Sequence, residues 1–209
     1  MLNIHARDFF NRLVGPLANR LARAGVTPDM VTVFGTVGAV TSAVVLFPRG
    51  DWFGGTMLVW GFVMLDIVDG AVARVSGRTS TFGAVLDSTS DRIADAAVFG
   101  SLGWYFARHD QRWMLLGSLL CLVLGSLTSY IRARAEAAGL HATVGIAERA
   151  ERLIIVLVGT GLTGSPFHVP YVQAIAVWAL VAASTITVAQ RLTTVYRQSR
   201  QRDAAGVNG

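Results

Sequence analysis

Apolar residues fall in long blocks along this chain, separated by short charged stretches. Met30 to Phe47, Trp113 to Ile131 and Tyr171 to Gln190 contain no charged residue at all. A helix that crosses the hydrocarbon core of a bilayer needs about 20 predominantly apolar residues, so each block predicts a spanning helix. Leu153 to Val169 predicts a fourth, apolar at first and then broken at Gly164-Ser165-Pro166. The region from Thr56 to Ala107 is too long for one span. It divides at the turn-forming run Gly77-Arg78-Thr79-Ser80, which predicts helices over 52–76 and 82–107. The pattern reads as an all-α integral membrane protein with six transmembrane helices and short loops.

Ahead of the first span, Phe9, Leu13, Leu17 and Leu21 recur every four residues, with Arg7, Asn11, Asn19, Arg20 and Arg23 between them. This predicts an N-terminal amphipathic helix on the membrane surface, bent at Gly15-Pro16. A helix packed on a protein core is the alternative. Asp8 and Arg12 stand where a signal peptide needs an apolar stretch. The chain therefore divides into a juxtamembrane segment over 1–24, a helical domain over 25–197 and a polar cytoplasmic tail over 198–209.

Composition narrows the class. Of the 209 residues 53% are hydrophobic and 15% charged, against about 25% charged in soluble domains. This argues against a soluble enzyme and against a disordered charged tail protein. Cys121 is the only cysteine, so no intrachain disulfide forms. All 18 basic residues are arginines, and the net charge is +5. In so apolar a chain that excess suits anionic lipid and not nucleic acid. With six spans both termini share one side. That side receives Arg7, Arg12, Arg20, Arg23, Arg74, Arg78, Arg132, Arg134, Arg149, Arg152, Arg191, Arg197, Arg200 and Arg202, and the other only Arg49, Arg108 and Arg112. Positive charge marks the cytoplasmic side. The expected location is the bacterial cell (inner) membrane, with both termini cytoplasmic.

Five carboxylates lie within the second and third expected spans: Asp66, Asp69, Asp87, Asp91 and Asp95. One Asp at mid-span costs roughly 2.5–3.5 kcal/mol on insertion scales, so five facing lipid would be prohibitive. They must face a polar cavity. Asp66 and Asp69 share a helix face at i, i+3, and Gly70 and Ala73 continue that face with almost no side chain. Gly83, Asp87, Asp91 and Asp95 follow one another at intervals of four. Antiparallel neighbours would bring four carboxylates together, and like charges that close need cations. Oxygen-only ligands suit Mg²⁺ or Mn²⁺, and the absence of His and Cys from both Asp motifs argues against zinc. An intramembrane proton or cation pathway is the rival. Simple pairing of Asp91 with Arg92 is disfavoured, because adjacent helical residues do not face each other.

The run Asp66-x2-Asp69-Gly70-x2-Ala73-Arg74-x8-Gly83-x3-Asp87-x3-Asp91 matches every fixed position of one signature. In it the chain resembles the CDP-alcohol phosphotransferases, and six helices match that family too. The resemblance implies an integral membrane enzyme, usually a homodimer. It implies transfer of a phosphatidyl group from a CDP-linked lipid to an alcohol, with release of CMP. Asp66, Asp69, Asp87 and Asp91 would hold the metals, commonly a pair, and Asp91 would also be the general base. Asp29, Thr32, Gly70, Arg74 and Ser80 would contact the nucleotide, and small Ala73 and Gly83 would leave it room. Asp95 lies outside the signature and reads as a helix-packing partner.

The acceptor is read elsewhere. Ser129-Tyr130-Ile131-Arg132 ends the fourth expected span, Arg149 and Arg152 follow a loop, and Arg191 closes the last span. Arginines at a membrane pocket suit a phosphorylated acceptor. Arg132, Arg149 and Arg152 also cluster in sequence with Glu136, Glu148 and Glu151. The segments Ser129 to Glu136 and Glu148 to Val156 are similar to the inositol-phosphate-using branch of the family. That implies CDP-diacylglycerol and inositol 1-phosphate as substrates, with Ser129, Arg132, Arg149, Arg152 and Arg191 around the acceptor phosphate. Two alternatives stand beside it: a sister enzyme using glycerol 3-phosphate, and a cation transporter with an intramembrane Asp site.

Overall fold

The structure, a computed structural model, describes residues 15–77 and 80–206, without the side chains of Asp66, Ile67, Ser76 and Ala205. Among the described residues there are helices and no strand. A helical stretch over 15–23 precedes α1 (Pro28–Leu46), α2 (Trp52–Val63), α3 (Leu65–Ser76) and α4 (Thr81–Arg108). α5 (Arg112–Ala137), α6 (Arg149–Thr163) and α7 (Val172–Gly206) follow.

Local chemistry sets these boundaries. Thr27 caps α1 by accepting a hydrogen bond from the Met30 amide at 3.2 Å, and Pro28 occupies the first helical position, where its missing N–H costs nothing. The expected helix over 52–76 is present as α2 and α3. Met64 between them keeps helical dihedrals, and its amide still reaches the Trp60 carbonyl at 2.9 Å. Gly77, with φ 64°, closes α3 in the left-handed conformation that favours glycine. Ser80 then caps α4, its hydroxyl oxygen accepting from the Gly83 amide at 2.8 Å. α6 stops at Thr163, directly before the break foreseen at Gly164-Ser165-Pro166.

Among the described residues four helical stretches are long and apolar enough to cross a membrane: Pro28–Arg49, Trp52–Val75, Arg112–Ala137 and Val172–Ala204. The chain is an integral membrane protein. The other two expected spans differ in kind. α4 has 28 residues and ample length, but Asp87, Asp91, Arg92 and Asp95 interrupt its apolar character. α6 has 15 residues, about 22 Å at the usual helical rise, short of a core about 30 Å thick. Residues 198–206, read from sequence as tail, continue α7 as helix.

The described residues up to Leu46, together with Gly54–Val98, form one compact unit. Its core gathers Ala18, Val31, Val68, Ala71 and Val72, with Leu21, Ala22, Val26 and Leu65 against it. The predicted surface helix lies largely in residues 1–14, outside the described residues. Its described part packs on this core through Ala18, while Leu17 stays exposed. Gly38 lets α1 approach α2 closely, since a Cβ there would overlap the Phe62 ring.

Phe47–Phe53 and the described residues from Phe99 onward form the second unit. Here α6 seats on α7 at Gly159, where a Cβ would overlap that of Ala176. At the end of α5 the Leu140 amide returns to the Ala135 carbonyl at 2.8 Å and the Gly139 amide to Glu136 at 2.9 Å. Gly139, at φ 67°, makes this a Schellman-type stop.

Candidate active site

In the first unit α3 carries Asp66, Asp69, Gly70, Ala73 and Arg74, and α4 carries Gly83, Asp87, Asp91 and Asp95. Asp69 is 8% exposed. Its Oδ2 accepts from the Thr32 hydroxyl of α1 at 2.5 Å. The same hydroxyl lies 3.2 Å from the Pro28 carbonyl; the shorter, charge-assisted contact takes its single proton. Ser80 and Asp29 converge on Gly83. A Cβ at Gly83 would stand 3.1 Å from the Ser80 hydroxyl and 3.3 Å from Asp29 Oδ1. The Arg74 guanidinium folds back over Gly70, its Nη1 3.4 Å from where a Cβ would be.

Asp87 and Asp91 are half-buried one turn apart on α4, and Asp95 is 5% exposed. One expectation needs correcting. Arg92 Nη2 does reach Asp91 Oδ2, at 3.7 Å. The i, i+1 geometry forbids facing side chains only when they are short, and the Arg chain is long enough to wrap round the helix. The Asp66 side chain lies outside the described residues. Among the described residues no three of His, Cys, Asp and Glu gather closely enough to hold a metal ion. The expected convergence of four carboxylates is thus not seen among the described side chains. The donor chemistry nevertheless fits a hard divalent cation: the signature supplies carboxylate oxygen alone, and Thr32 already orients Asp69.

The second unit holds the arginines. Arg152 and Arg191 are 2% and 4% exposed. Arg152 Nη1 donates to the Thr128 hydroxyl at 3.3 Å and to the Ala147 carbonyl at 3.4 Å. Arg191 Nη1 donates to the Thr128 carbonyl at 2.5 Å, and its Nε to the Val144 carbonyl at 2.9 Å. Its Nη2 lies 3.7 Å from Glu148 Oε1, beyond hydrogen-bonding distance. Arg132 is exposed, and its Nε donates to Glu136 at 2.9 Å. Arg149 is half-buried in the first turn of α6. The Ser129 hydroxyl donates to the Gly125 carbonyl of its own helix at 3.2 Å.

Sequence reasoning missed Thr128, on which both buried arginines meet. A Thr in a spanning helix ordinarily bonds its own backbone, and Thr128 does so as well, to the Gly125 carbonyl at 2.8 Å. It also missed how α7 fastens the loop before α6. Thr187 accepts from the Ile146 and Ala147 amides at 3.2 and 3.1 Å. Gln198 makes a two-way amide pair with the His141 backbone at 2.9 and 2.7 Å. Arg202 donates to the Ala138 and Gly139 carbonyls. Residues 187, 191, 198 and 202 follow a helical repeat along one face of α7.

A family model for CDP-alcohol phosphatidyltransferase matches residues 25–189, most of the chain and the whole signature. The chain belongs to the CDP-alcohol phosphatidyltransferase family. Its relatives within that family are close. The phosphatidylinositol phosphate synthase of Streptomyces avermitilis is 47% identical over 211 residues, covering 98% of this chain and 86% of the relative. The crystal structure of Mycobacterium tuberculosis phosphatidylinositol phosphate synthase with CDP-DAG bound matches with a TM-score of 0.84 at 48% identity, over 88% of this chain and 94% of that one. The same mycobacterial enzyme in complex with manganese and citrate matches with a TM-score of 0.84 at 48% identity, over 88% of each chain. As a CDP-alcohol phosphatidyltransferase the chain is an enzyme, and the cation-transporter alternative falls. Arg191 lies two residues beyond the end of the family match.

Proposed function

We propose that this chain transfers the phosphatidyl group of CDP-diacylglycerol to inositol 1-phosphate, releasing CMP and forming phosphatidylinositol phosphate. The observation that carries the choice of acceptor is the pair Arg152 and Arg191, buried and held on Thr128. Two buried guanidinium groups suit an acceptor that brings its own phosphate, and a neutral alcohol has no use for them. The kinship with phosphatidylinositol phosphate synthases supports the same choice.

In this reading Asp66, Asp69, Asp87 and Asp91 hold divalent ions, a pair of Mg²⁺ or Mn²⁺, whose charge supports the pyrophosphate of the CDP-lipid. Asp29, Thr32, Gly70, Ala73, Arg74, Ser80 and Gly83 receive the nucleotide. Gly70, Ala73 and Gly83 leave room beside the backbone, and Arg74 supplies a cationic fork to phosphate. Asp91 accepts the proton of the inositol hydroxyl as its oxygen attacks the phosphorus bonded to the diacylglycerol. The bond from that phosphorus to the CMP oxygen breaks, and CMP leaves. Arg132, Arg149, Arg152, Arg191 and Ser129 bind the acceptor phosphate.

The topology we propose adds α4 and α6 to the four apolar spans, behind a surface segment at the N-terminus. The uneven sorting of arginines supports cytoplasmic termini and a cytoplasmic site in a cell membrane. We propose a homodimer as the assembly, which the resemblance to the family supports.

The test is CMP release by the purified protein with CDP-diacylglycerol and each acceptor in turn. Inositol 1-phosphate is expected to support turnover. Turnover with glycerol 3-phosphate and none with inositol 1-phosphate would replace this reading by the sister reaction.

A further inference from the structure

Thr128 is 1% exposed in the C-terminal half of α5, between Ser126 and Ser129. A hydroxyl has one proton and two lone pairs. At Thr128 the proton goes to the Gly125 carbonyl at 2.8 Å, which fixes the rotor. One of the two lone pairs accepts Arg152 Nη1 at 3.3 Å. The carbonyl of the same residue accepts Arg191 Nη1 at 2.5 Å. The two acceptor oxygens of one residue therefore set the directions of two cations that approach from different helices. Gly125, one turn earlier, completes the seat. A Cβ there would press to 3.2 Å from Arg152 Nε.

We infer that Thr128 is a positioning residue for acceptor binding, holding Arg152 and Arg191 against the phosphate of the acceptor. Two features favour this over a purely structural hydroxyl. Its own backbone bond to Gly125 already satisfies the donor, so the contact to Arg152 is additional. Two like charges converging on one residue repel, and Glu148, half exposed and 3.7 Å from Arg191 Nη2, offsets the Arg191 charge only loosely, so a phosphate can add to it. Burial also prevents water from replacing the lost acceptor if the hydroxyl is removed. The inference rests on the reading that these arginines bind the acceptor phosphate.

The experiment compares Thr128→Val, which keeps the shape and removes the hydroxyl, with Thr128→Ser, which keeps the hydroxyl. Full-length protein is assayed by CMP release with CDP-diacylglycerol and inositol 1-phosphate. Thr128→Val is expected to raise the KM for inositol 1-phosphate about tenfold, the scale of one lost hydrogen bond to a charged group. The kcat and the KM for CDP-diacylglycerol stay near those of the parent, and Thr128→Ser restores the acceptor KM. In an Arg152→Ala background, Thr128→Val should add little, because the two act as one unit. If Thr128→Val does not fold, Thr128→Ala takes its place with the same expectations.

An unchanged acceptor KM overturns the inference. So does an equal loss in both KM values and kcat, a Ser variant as impaired as Val, or full additivity with Arg152→Ala. Arg152→Ala alone separates the two levels. If it leaves the acceptor KM unchanged, the assignment of the arginines to the acceptor fails, and Thr128 falls with it.

Discussion

The Thr32 hydroxyl donates to Asp69 Oδ2 across 2.5 Å, joining the start of α1 to the signature aspartates of α3. Asp69 is buried, so its orientation cannot be left to solvent. The first turns of α1 thereby reach the signature residues of both α3 and α4. Thr27 starts the helix, Asp29 meets Gly83 and Thr32 fixes Asp69.

Thr32→Val keeps the β-branched shape and removes that donor. A lost hydrogen bond to a carboxylate is worth about 1.5–3 kcal/mol, so kcat/KM should fall about tenfold or more. The concentration of Mn²⁺ needed for half-maximal activity should rise with it, and Thr32→Ser should preserve both. Metal titrations of CMP release check this. A Val variant with parental metal dependence would remove Thr32 from the site.

Asp91→Asn keeps the volume and removes the base. A general base contributes about 10²- to 10⁴-fold, and turnover should fall on that scale while binding of CDP-diacylglycerol is at least partly kept. The Arg92 contact at 3.7 Å is loose and partly exposed, so its loss should weigh little on folding. Single-turnover CMP release alongside CDP-diacylglycerol binding measures the two separately. Near-parental turnover would reject Asp91 as the base.

Gly83→Ala tests the approach of α1 to the start of α4. The new methyl would stand 3.1 Å from the Ser80 hydroxyl and 3.3 Å from Asp29 Oδ1. Those atoms must move apart, which disturbs the Ser80 cap and the expected nucleotide contacts together. The KM for CDP-diacylglycerol should rise and the KM for inositol 1-phosphate stay constant. The reverse split would place Gly83 with the acceptor.

How far the sequence carries depends on the range of the interaction. The Asp signature, the helix end at Gly77 and the stop before Gly164 are local, and each is written in adjacent residues. The apolar blocks at Met30, Trp113 and Tyr171 announced three helices because lipid demands that composition over a whole span. α4 and α6 are less plain. In α4 the carboxylates and Arg92 lower the mean hydropathy whichever way they face, and α6 is shorter than a full span. Thr128 was illegible for another reason. Its partners lie 24 and 63 residues away, and no local pattern distinguishes a Thr that seats two arginines from one that only bonds its own helix. The Arg92 contact shows the same limit in reverse: a rule about Cβ directions does not bound the reach of a long side chain.

Removal of divalent metal should abolish CMP release, and readdition of Mg²⁺ or Mn²⁺ should restore it. Because a ligand that binds only the folded state stabilises it, metal-replete protein should also melt at a higher temperature. Asp69→Asn should shrink that thermal shift. A thermal shift that persists in Asp69→Asn would place the ion elsewhere.

Deleting residues 198–209 tests whether the end of the chain is a solvated tail or part of the acceptor unit. Gln198 pairs with the His141 backbone in both directions, and Arg202 donates to the Ala138 and Gly139 carbonyls at the end of α5. A cation at that end also opposes the helix dipole. These contacts are exposed, so together they should contribute about 1 kcal/mol, or about 2–4 °C in Tm for a chain of this size. They hold the segment that continues through Val144, Ala147 and Glu148, the partners of Arg191 and Arg152. Loosening it should therefore raise the KM for inositol 1-phosphate severalfold and leave that for CDP-diacylglycerol unchanged. Kinetics of the shortened protein identical to those of the full chain would return 198–206 to the status of a solvated tail.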